Sequence, residues 1–440
     1  MRLVSSSELT VLGGYLPRFV DLVGEDRWFK RVGHLDSEQR LSPFRWKIVK
    51  DYHWLEMAIS FQFDVLAREG RLRLELTDAP ILAALNFAAS TVEVHTRLSN
   101  VGQRRLEGRL RDCLKAETGY ASLYLEIDLA QRLMDAGFDV TFADMETTAQ
   151  YDLAFSRDKF VGEVECKSLS ADAGRQIHRK DFDRFMEALS SALESQRARL
   201  QPEVLLITLD GRLSSNILDQ ASLRAATRTV IEDSMQATFS GDGFELERQA
   251  LDALHMGAWV ADTKAFYSAC SATFGPNAHI AGGLTEDSGC LIVMRSKRED
   301  DISKPMLEGM REASDQFSGQ RPAFIAMQLH GIEATDLMLP HLRRRAGILA
   351  YALYGHYGSS HVNATYFTGF GAVSESDGIV GTPALAIPNP KPAFKVEPAD
   401  ASPFLAHISD GAFAAAIGAP VPAPNISSLP IDQELDERNC

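Results

Sequence analysis

The chain has 440 residues, 45% of them apolar, 8% aromatic and 24% charged, a composition that supports a sizeable core and excludes global disorder. The formal net charge is −15, so the chain as a whole lacks the basic footprint of most nucleic-acid binders. An acidic chain of this kind would have to bind nucleic acid through a local basic groove, with strong dependence on salt.

Residues 1–115 read as a mixed N-terminal region. Strand-like runs fall at Arg71–Leu76 and Thr91–His95, and helical runs at Trp54–Arg68 and Ile81–Ala89. Its end collects Arg97, Arg104, Arg105, Arg109 and Arg111, a pattern shared by a solvated helix face and by a phosphate-contacting helix.

Residues 116–240 read helix, strand, strand, strand, helix, strand. The first helix runs from Ala121 to Ala136 and stops at Gly137. Phe138–Phe142, Tyr151–Ser156 and Phe160–Ser168 follow as strands, the last two joined by a turn at Arg157-Asp158-Lys159. A helix from Phe182 to Leu200 then leads to Val204–Leu209, an apolar run bounded by Pro202 and Gly211 that suits a buried strand. Residues 241–375 read as a second α/β unit, with strands at Cys290–Met294 and Ala323–Leu329 and helices at Lys304–Phe317 and Leu342–Tyr354. The pair Phe182–Leu209 echoes the pair Lys304–Leu329, each a helix followed by a buried strand. Residues 376–440 are rich in proline and alanine and read as a partly disordered tail.

The chemistry gathers in Val161-Gly162-Glu163-Val164-Glu165-Cys166-Lys167-Ser168. A strand alternates its side chains, so Glu163, Glu165 and Lys167 share one face. In the preceding strand Tyr151, Leu153 and Phe155 share a face and Asp152 takes the other, where a hairpin can bring it beside Glu165. Two close carboxylates repel, and a divalent cation relieves that cost. Lys167 supplies a positive charge able to orient or deprotonate a water. Glu126 lies on the apolar stripe of Leu123, Leu129, Ala130 and Leu133, where an acid is costly unless paired or metal-bound. Asp128 sits instead with Tyr124, Gln131, Arg132 and Asp135 on a wet face. A second acidic-x-Lys triplet, Asp262-Thr263-Lys264, lacks an acidic strand partner and reads as coincidence.

The order helix Glu, strand, strand Asp, strand Glu-x-Lys, helix, strand resembles the PD-(D/E)XK superfamily of restriction-enzyme-like nucleases. Val-Glu-Cys-Lys-Ser is similar to forms common in its divergent members. The resemblance spans about a quarter of the chain, residues 117–211, and departs from the pattern where Tyr151 replaces the proline before Asp152. It implies an α/β fold with a mixed sheet and an αβββαβ core. It also implies Mg²⁺ (or Mn²⁺) held by Asp152, Glu165 and the carbonyl of Cys166, with Lys167 serving the water and Glu126 as an outer acid. In this fold Arg175, Gln176, His178, Arg179 and Lys180 would border the substrate cleft and grip phosphates, although Lys180 stands where RecB-like nucleases place tyrosine.

The expected activity is therefore hydrolysis of phosphodiester bonds, with DNA favoured over RNA, in restriction, repair or defence. A homodimer or partner protein would be needed for paired cuts. The alternative is an inactive nuclease-fold module that binds or scaffolds. His356 and His361, flanking Gly355–Ser360, form a weaker metal candidate without an obvious third ligand, and Arg343-Arg344-Arg345 reads as a solvated helix face. Five cysteines stand far apart without a CxxC pair, which suits reduced thiols. No secretory leader is read at the start, and no apolar run is long enough to span a bilayer, so a cytoplasmic location without membrane contact is expected.

Overall fold

The computed structural model describes residues 9–41, 49–50, 52–76, 79–170, 172–195, 203–233, 236–250, 269–270, 272–275, 277–284, 289–333, 337, 340–370, 373–374, 380–381 and 384–405. The fold is mixed α/β, with parallel and antiparallel pairing in each of its two larger sheets. The chain divides into two compact units. The first comprises Met1–His34, Lys50–Ala171 and Ser303–Cys440, and the second Leu35–Val49 and Asp172–Ile302. The sequence boundaries at 116–240 and 241–375 do not coincide with these units.

The described part of the N-terminal region is helical, not mixed. Helices span Leu9–Gly13, Tyr15–Val23, Glu25–Leu41, Trp54–Glu69, Ala79–Arg97 and Asn100–Cys113. Thr91–His95 lies inside the Ala79–Arg97 helix, and Leu74–Leu76 forms a single 3₁₀ turn. Both runs have strand-like composition, but burial of Phe87, Ala88, Val92 and Val94 in one core rewards the helix over local propensity. Trp28, Phe19, Phe87 and Tyr120 form the aromatic centre of that core.

The first unit continues with the helix Ala121–Asp135, β1 (Asp139–Phe142), a short helix Ala143–Glu146, β2 (Leu153–Arg157) and β3 (Phe160–Leu169). β1, β2 and β3 form an antiparallel meander. The second unit is then interposed, with β4 (Glu203–Leu209), β5 (Thr238–Gly241), β6 (Phe244–Ala250), β7 (His279–Leu284) and β8 (Gly289–Ser296). The first unit resumes with the helix Ser303–Gln316, β9 (Ala323–Glu333), the helix Pro340–Gly355 and β10 (Val362–Phe370). Two short pieces, β11 (Val373–Ser374) and β12 (Val380–Gly381), precede β13 (Ala384–Pro388) and the helix Pro398–Leu405.

The main sheet has the order β1-β2-β3-β9-β10-β13. β9 runs parallel to β3 on one side and to β10 on the other. The strand beside β3 is therefore β9, not Val204–Leu209. That run belongs to β4, at the centre of the second unit's sheet, order β5-β6-β4-β8-β7. The order helix, three strands, helix, strand is met in the first unit, with the second unit inserted after β3. The helix–strand echo joins segments of two different sheets.

Side chains from alternate positions of β3 and β9 enter opposite layers. Val164, Cys166, Phe324 and Ala326 pack with the Ala121–Asp135 helix. The other face meets the helix Ser303–Gln316, where Gly309 lies against Met327. The tail begins in an ordered way: β13 pairs antiparallel with β10, and Phe404 stacks on Phe324 with ring centroids 4.2 Å apart. Residues 406–440 lie outside the described residues.

In the second unit the ends of the insertion are fastened together. Asp301 N–H donates to the carbonyl of Gly174 at 2.8 Å, and Gln176 N–H donates to Asp300 at 2.8 Å. Gly174 has φ +73°, and a Cβ there would collide with the Asp301 carbonyl, so glycine is required by both conformation and approach. Such closure lets a long insertion start and finish at one place without spoiling the strand that precedes it.

Candidate active site

β2 pairs with β3 from Arg157↔Phe160 to Leu153↔Val164 and then ends. Past that point β3 offers a main-chain donor with no strand opposite it, and the Asp152 side chain takes the missing role. The N–H of Cys166 donates to Asp152 Oδ2 at 2.7 Å, and the N–H of Asp152 donates to Glu165 Oε2 at 3.2 Å. The two carboxylates thus converge, buried, at the open end of the hairpin. Lys167 Nζ lies 2.9 Å from Glu165 Oε1.

This proximity has an electrostatic cost. Burial first, and then the charge of Asp152, push Glu165 up to about 8, against the pull of Lys167. Burial raises Asp152 to about 6, although the Cys166 N–H and Arg109 favour its charged form. Glu126 is buried, at 3% exposure, as its place on the apolar stripe requires. Burial and Asp152 drive its carboxyl above the usual range, while Arg109 opposes them.

Arg109 ties the acids together. It forms an ion pair with Glu126 and another, at 3.0 Å, with Asp144. Asp144, on the helix Ala143–Glu146, is a further acid of the site that the sequence reading missed. Glu126 Oε2 and Asp144 Oδ1 are buried without a hydrogen-bond partner. Two other arginines of the run make structural contacts. Arg105 donates to the carbonyls of Asp144, Met145 and Thr147, and Arg97 pairs with Glu93. Asp128, expected on a wet face, pairs at 2.8 Å with Arg132, which in turn reaches Tyr366 OH.

Two more contacts define the β3 face. Lys167 Nζ donates to Gln316 Oε1 at 2.5 Å, and Gln316 Nε2 donates to the Gln150 carbonyl at 3.3 Å. Gln316 ends the helix Ser303–Gln316, so the segment following the insertion orients the lysine. Glu163 is fully buried and accepts from Ser318 N–H at 2.9 Å and from Ser318 Oγ at 2.6 Å. It holds the turn before β9 and is not a mere surface neighbour of Glu165.

Arg175, Gln176, His178, Arg179 and Lys180 belong to the second unit, whereas Asp152, Glu165, Cys166, Lys167 and Glu126 belong to the first. Gln176 is engaged through its main chain with Asp300 and through its amide with the Glu299 carbonyl. The ring of His178 lies 2.7 Å from Arg212, and Arg179 N–H is capped by Asp172 at 3.0 Å. These contacts build the entry to the helix Arg179–Ser195. His361 Nε2 lies 3.1 Å from the Ser314 carbonyl, and His356 packs edge-on against Tyr357, so the two rings have separate structural partners. Arg344 and Arg345 are exposed, in line with a solvated helix face. The triplet Asp262-Thr263-Lys264 lies outside the described residues.

No protein-family model matches the chain, and comparison with curated proteins and with solved structures returns no significant match. Among the described residues, no three or more His, Cys, Asp or Glu side chains form a metal-binding group, and no helix is long and apolar enough to cross a membrane. The donors at hand are the two converging carboxylates of Asp152 and Glu165. That set fits Mg²⁺, which takes one or two carboxylates and fills its other positions with water and phosphate. Burial raises the carboxyls of both Asp152 and Glu165, and the charge of Asp152 adds to the rise at Glu165, a cost that such a cation would offset.

Proposed function

We propose that the chain is a metal-dependent nuclease that hydrolyses phosphodiester bonds in DNA, with Asp152 and Glu165 holding Mg²⁺ or Mn²⁺. The observation that carries this reading is the meeting of Asp152, Glu165 and Lys167 where β2 releases the edge of β3. A cation held there would polarise the phosphate and acidify a water. Lys167, positioned by Gln316, orients the attacking water and manages its proton. Arg109 pairs with Glu126 and Asp144 and so limits the repulsion among the acids that surround the cation site. The cysteine pattern and the absence of a long apolar helix among the described residues accord with action in the cytoplasm.

A second reading, an inactive binding module on the same fold, draws on the absence of a three-ligand group among the described residues. One experiment separates the two. The purified chain is incubated with plasmid, linear and single-stranded DNA, and with RNA, under Mg²⁺, Mn²⁺ and chelator, while Mn²⁺ binding is followed by paramagnetic resonance. Cleavage that needs metal and vanishes in Asp152→Asn supports the nuclease. Failure to bind metal supports the module.

A further inference from the structure

Tyr151, the residue immediately before Asp152, has no part in the acid site, yet its contacts lie on the face of the sheet that carries Lys167. Gln316 and Phe317 are successive residues. Gln316 accepts from Lys167 Nζ at 2.5 Å and donates to the Gln150 carbonyl at 3.3 Å. Phe317 meets the Tyr151 ring, with centroids 6.4 Å apart and planes tilted by 34°. One dipeptide therefore sets the ammonium of Lys167 and the ring of Tyr151 side by side. Phe317 is itself buried and packs edge-on against His361, ring centroids 6.0 Å apart.

The phenol end is fastened as well. Burial and the charge of Glu163 raise the Tyr151 hydroxyl above its ordinary value, and Arg321 opposes them, so both groups stand near it. Glu163 is fully buried, on the same face of β3 as Glu165 and Lys167. The Tyr151 ring is only half-buried, Arg321 is exposed, and the Lys167 side chain is 25% exposed.

A half-exposed tyrosine by itself signals nothing. This one is distinguished by its company: a fixed ring, two flanking cations and a carboxylate of the acid site one residue away. Consecutive Cα atoms are about 3.8 Å apart, so a ring anchored there borders any phosphate held at Asp152 and Glu165. Proteins that bind single strands combine such aromatic platforms with cations that track the backbone. A ring already held by Phe317 loses little rotamer freedom when it is covered. The ring and the cations together select a guest that is flat and anionic, as a nucleotide is. A base inside a duplex has both faces taken by its neighbours, so the platform suits an unpaired one.

We infer that Tyr151 is a stacking platform for the base of an unpaired nucleotide next to the phosphate held at Asp152 and Glu165, with Arg321 on the adjoining backbone. The inference rests on the nuclease reading for its substrate and deepens it, since it makes the bound strand single-stranded at that point. Its test uses the full chain, with dissociation constants measured by fluorescence anisotropy in Ca²⁺. The probes are a labelled single-stranded DNA oligonucleotide, versions of it that each carry one abasic nucleotide, and its duplex. Tyr151→Leu is expected to weaken binding of the intact strand by roughly 5- to 100-fold, and Tyr151→Phe to hold it within about threefold. One abasic position should weaken wild type by the same factor and leave Tyr151→Leu unaffected, because the same contact is then removed from its other side. Binding of the duplex should not depend on residue 151.

A tyrosine that merely covers the turn at Ser318 would lower the melting temperature and weaken every oligonucleotide alike, with no coupling to any abasic position. That result overturns the platform, as do full affinity in Tyr151→Leu, equal dependence of the duplex on residue 151, and a wild type that binds no single strand. If Tyr151→Leu melts below the assay temperature, Tyr151→Met takes its place. Cleavage is scored apart, with Mg²⁺ and Mn²⁺. Coupling at one position without cleavage upholds the platform and ends the nuclease reading, and cleavage without coupling does the reverse.

Discussion

Asp152 and Glu165 hold each other in place: Asp152 donates its main-chain N–H to the Glu165 carboxylate at 3.2 Å, and its own carboxylate accepts from the next residue of β3, Cys166, at 2.7 Å. The pair is thus set by main-chain geometry, and its electrostatic strain is a property of the folded state.

That strain predicts a pH dependence. Both carboxyls are raised in the folded chain, Asp152 to about 6 and Glu165 to about 8, from ordinary values near 4 in the unfolded chain. Between about pH 4 and pH 8 the folded state therefore binds more protons than the unfolded one, and metal-free stability falls as pH rises through this window. Melting temperature measured in chelator should drop across it. Mg²⁺ should restore stability most at the alkaline end, and Glu165→Gln should flatten the metal-free slope.

Lys167→Ala should reduce cleavage by roughly 10²–10⁴-fold, the range for loss of a group handling the proton. Mn²⁺ binding should persist. Single-turnover rates beside a binding titration check both halves, and wild-type-like cleavage would move the chemistry elsewhere.

Gln316→Leu tests the lysine's support. The amide oxygen accepts from Lys167 Nζ at 2.5 Å. A hydrogen bond to a charged group contributes about 1.5–3 kcal/mol, so the single-turnover rate should fall roughly 10- to 100-fold. KM and metal affinity should change little. A fall in metal affinity equal to the fall in rate would assign Gln316 to ligand binding.

Glu163→Ala should behave unlike a change at Glu165. Glu163 is fully buried and accepts two hydrogen bonds from Ser318. Its loss should destabilise the chain by about 2–4 kcal/mol, since two hydrogen bonds from the turn to a buried carboxylate are lost. Urea midpoints should shift, while the rate per folded molecule stays near that of wild type.

Arg109→Met should expose the mutual repulsion of the acids. The guanidinium bridges Glu126 and Asp144, and Glu126 is the buried partner. Without it nothing opposes the upward push of burial and Asp152 on the Glu126 carboxyl, stability should fall, and Mn²⁺ affinity should change more at pH 7.5 than at pH 5.5. Arg109→Lys should recover part of the loss. Unchanged stability in Arg109→Met would show that solvent already screens the bridge.

The local sequence was sufficient for what depends on period. Alternation put Glu163, Glu165 and Lys167 on one face, the opposite parity freed Asp152 to meet Glu165, and the 3.6-residue stripe buried Glu126. Each of these follows from backbone geometry within a few residues. Period says nothing about which apolar run lies next to which. Val204–Leu209 and Ala323–Leu329 are both buried strands preceded by a helix, so hydropathy cannot choose between them as the neighbour of β3. The tertiary structure pairs β3 with the later one and interposes a whole unit. The same limit hid Asp144, Arg109 and Gln316. Their roles arise from contacts across long sequence separations, 149 residues between Lys167 and Gln316, and side chains that meet only when the sheet is assembled leave no mark in the spacing of their neighbours.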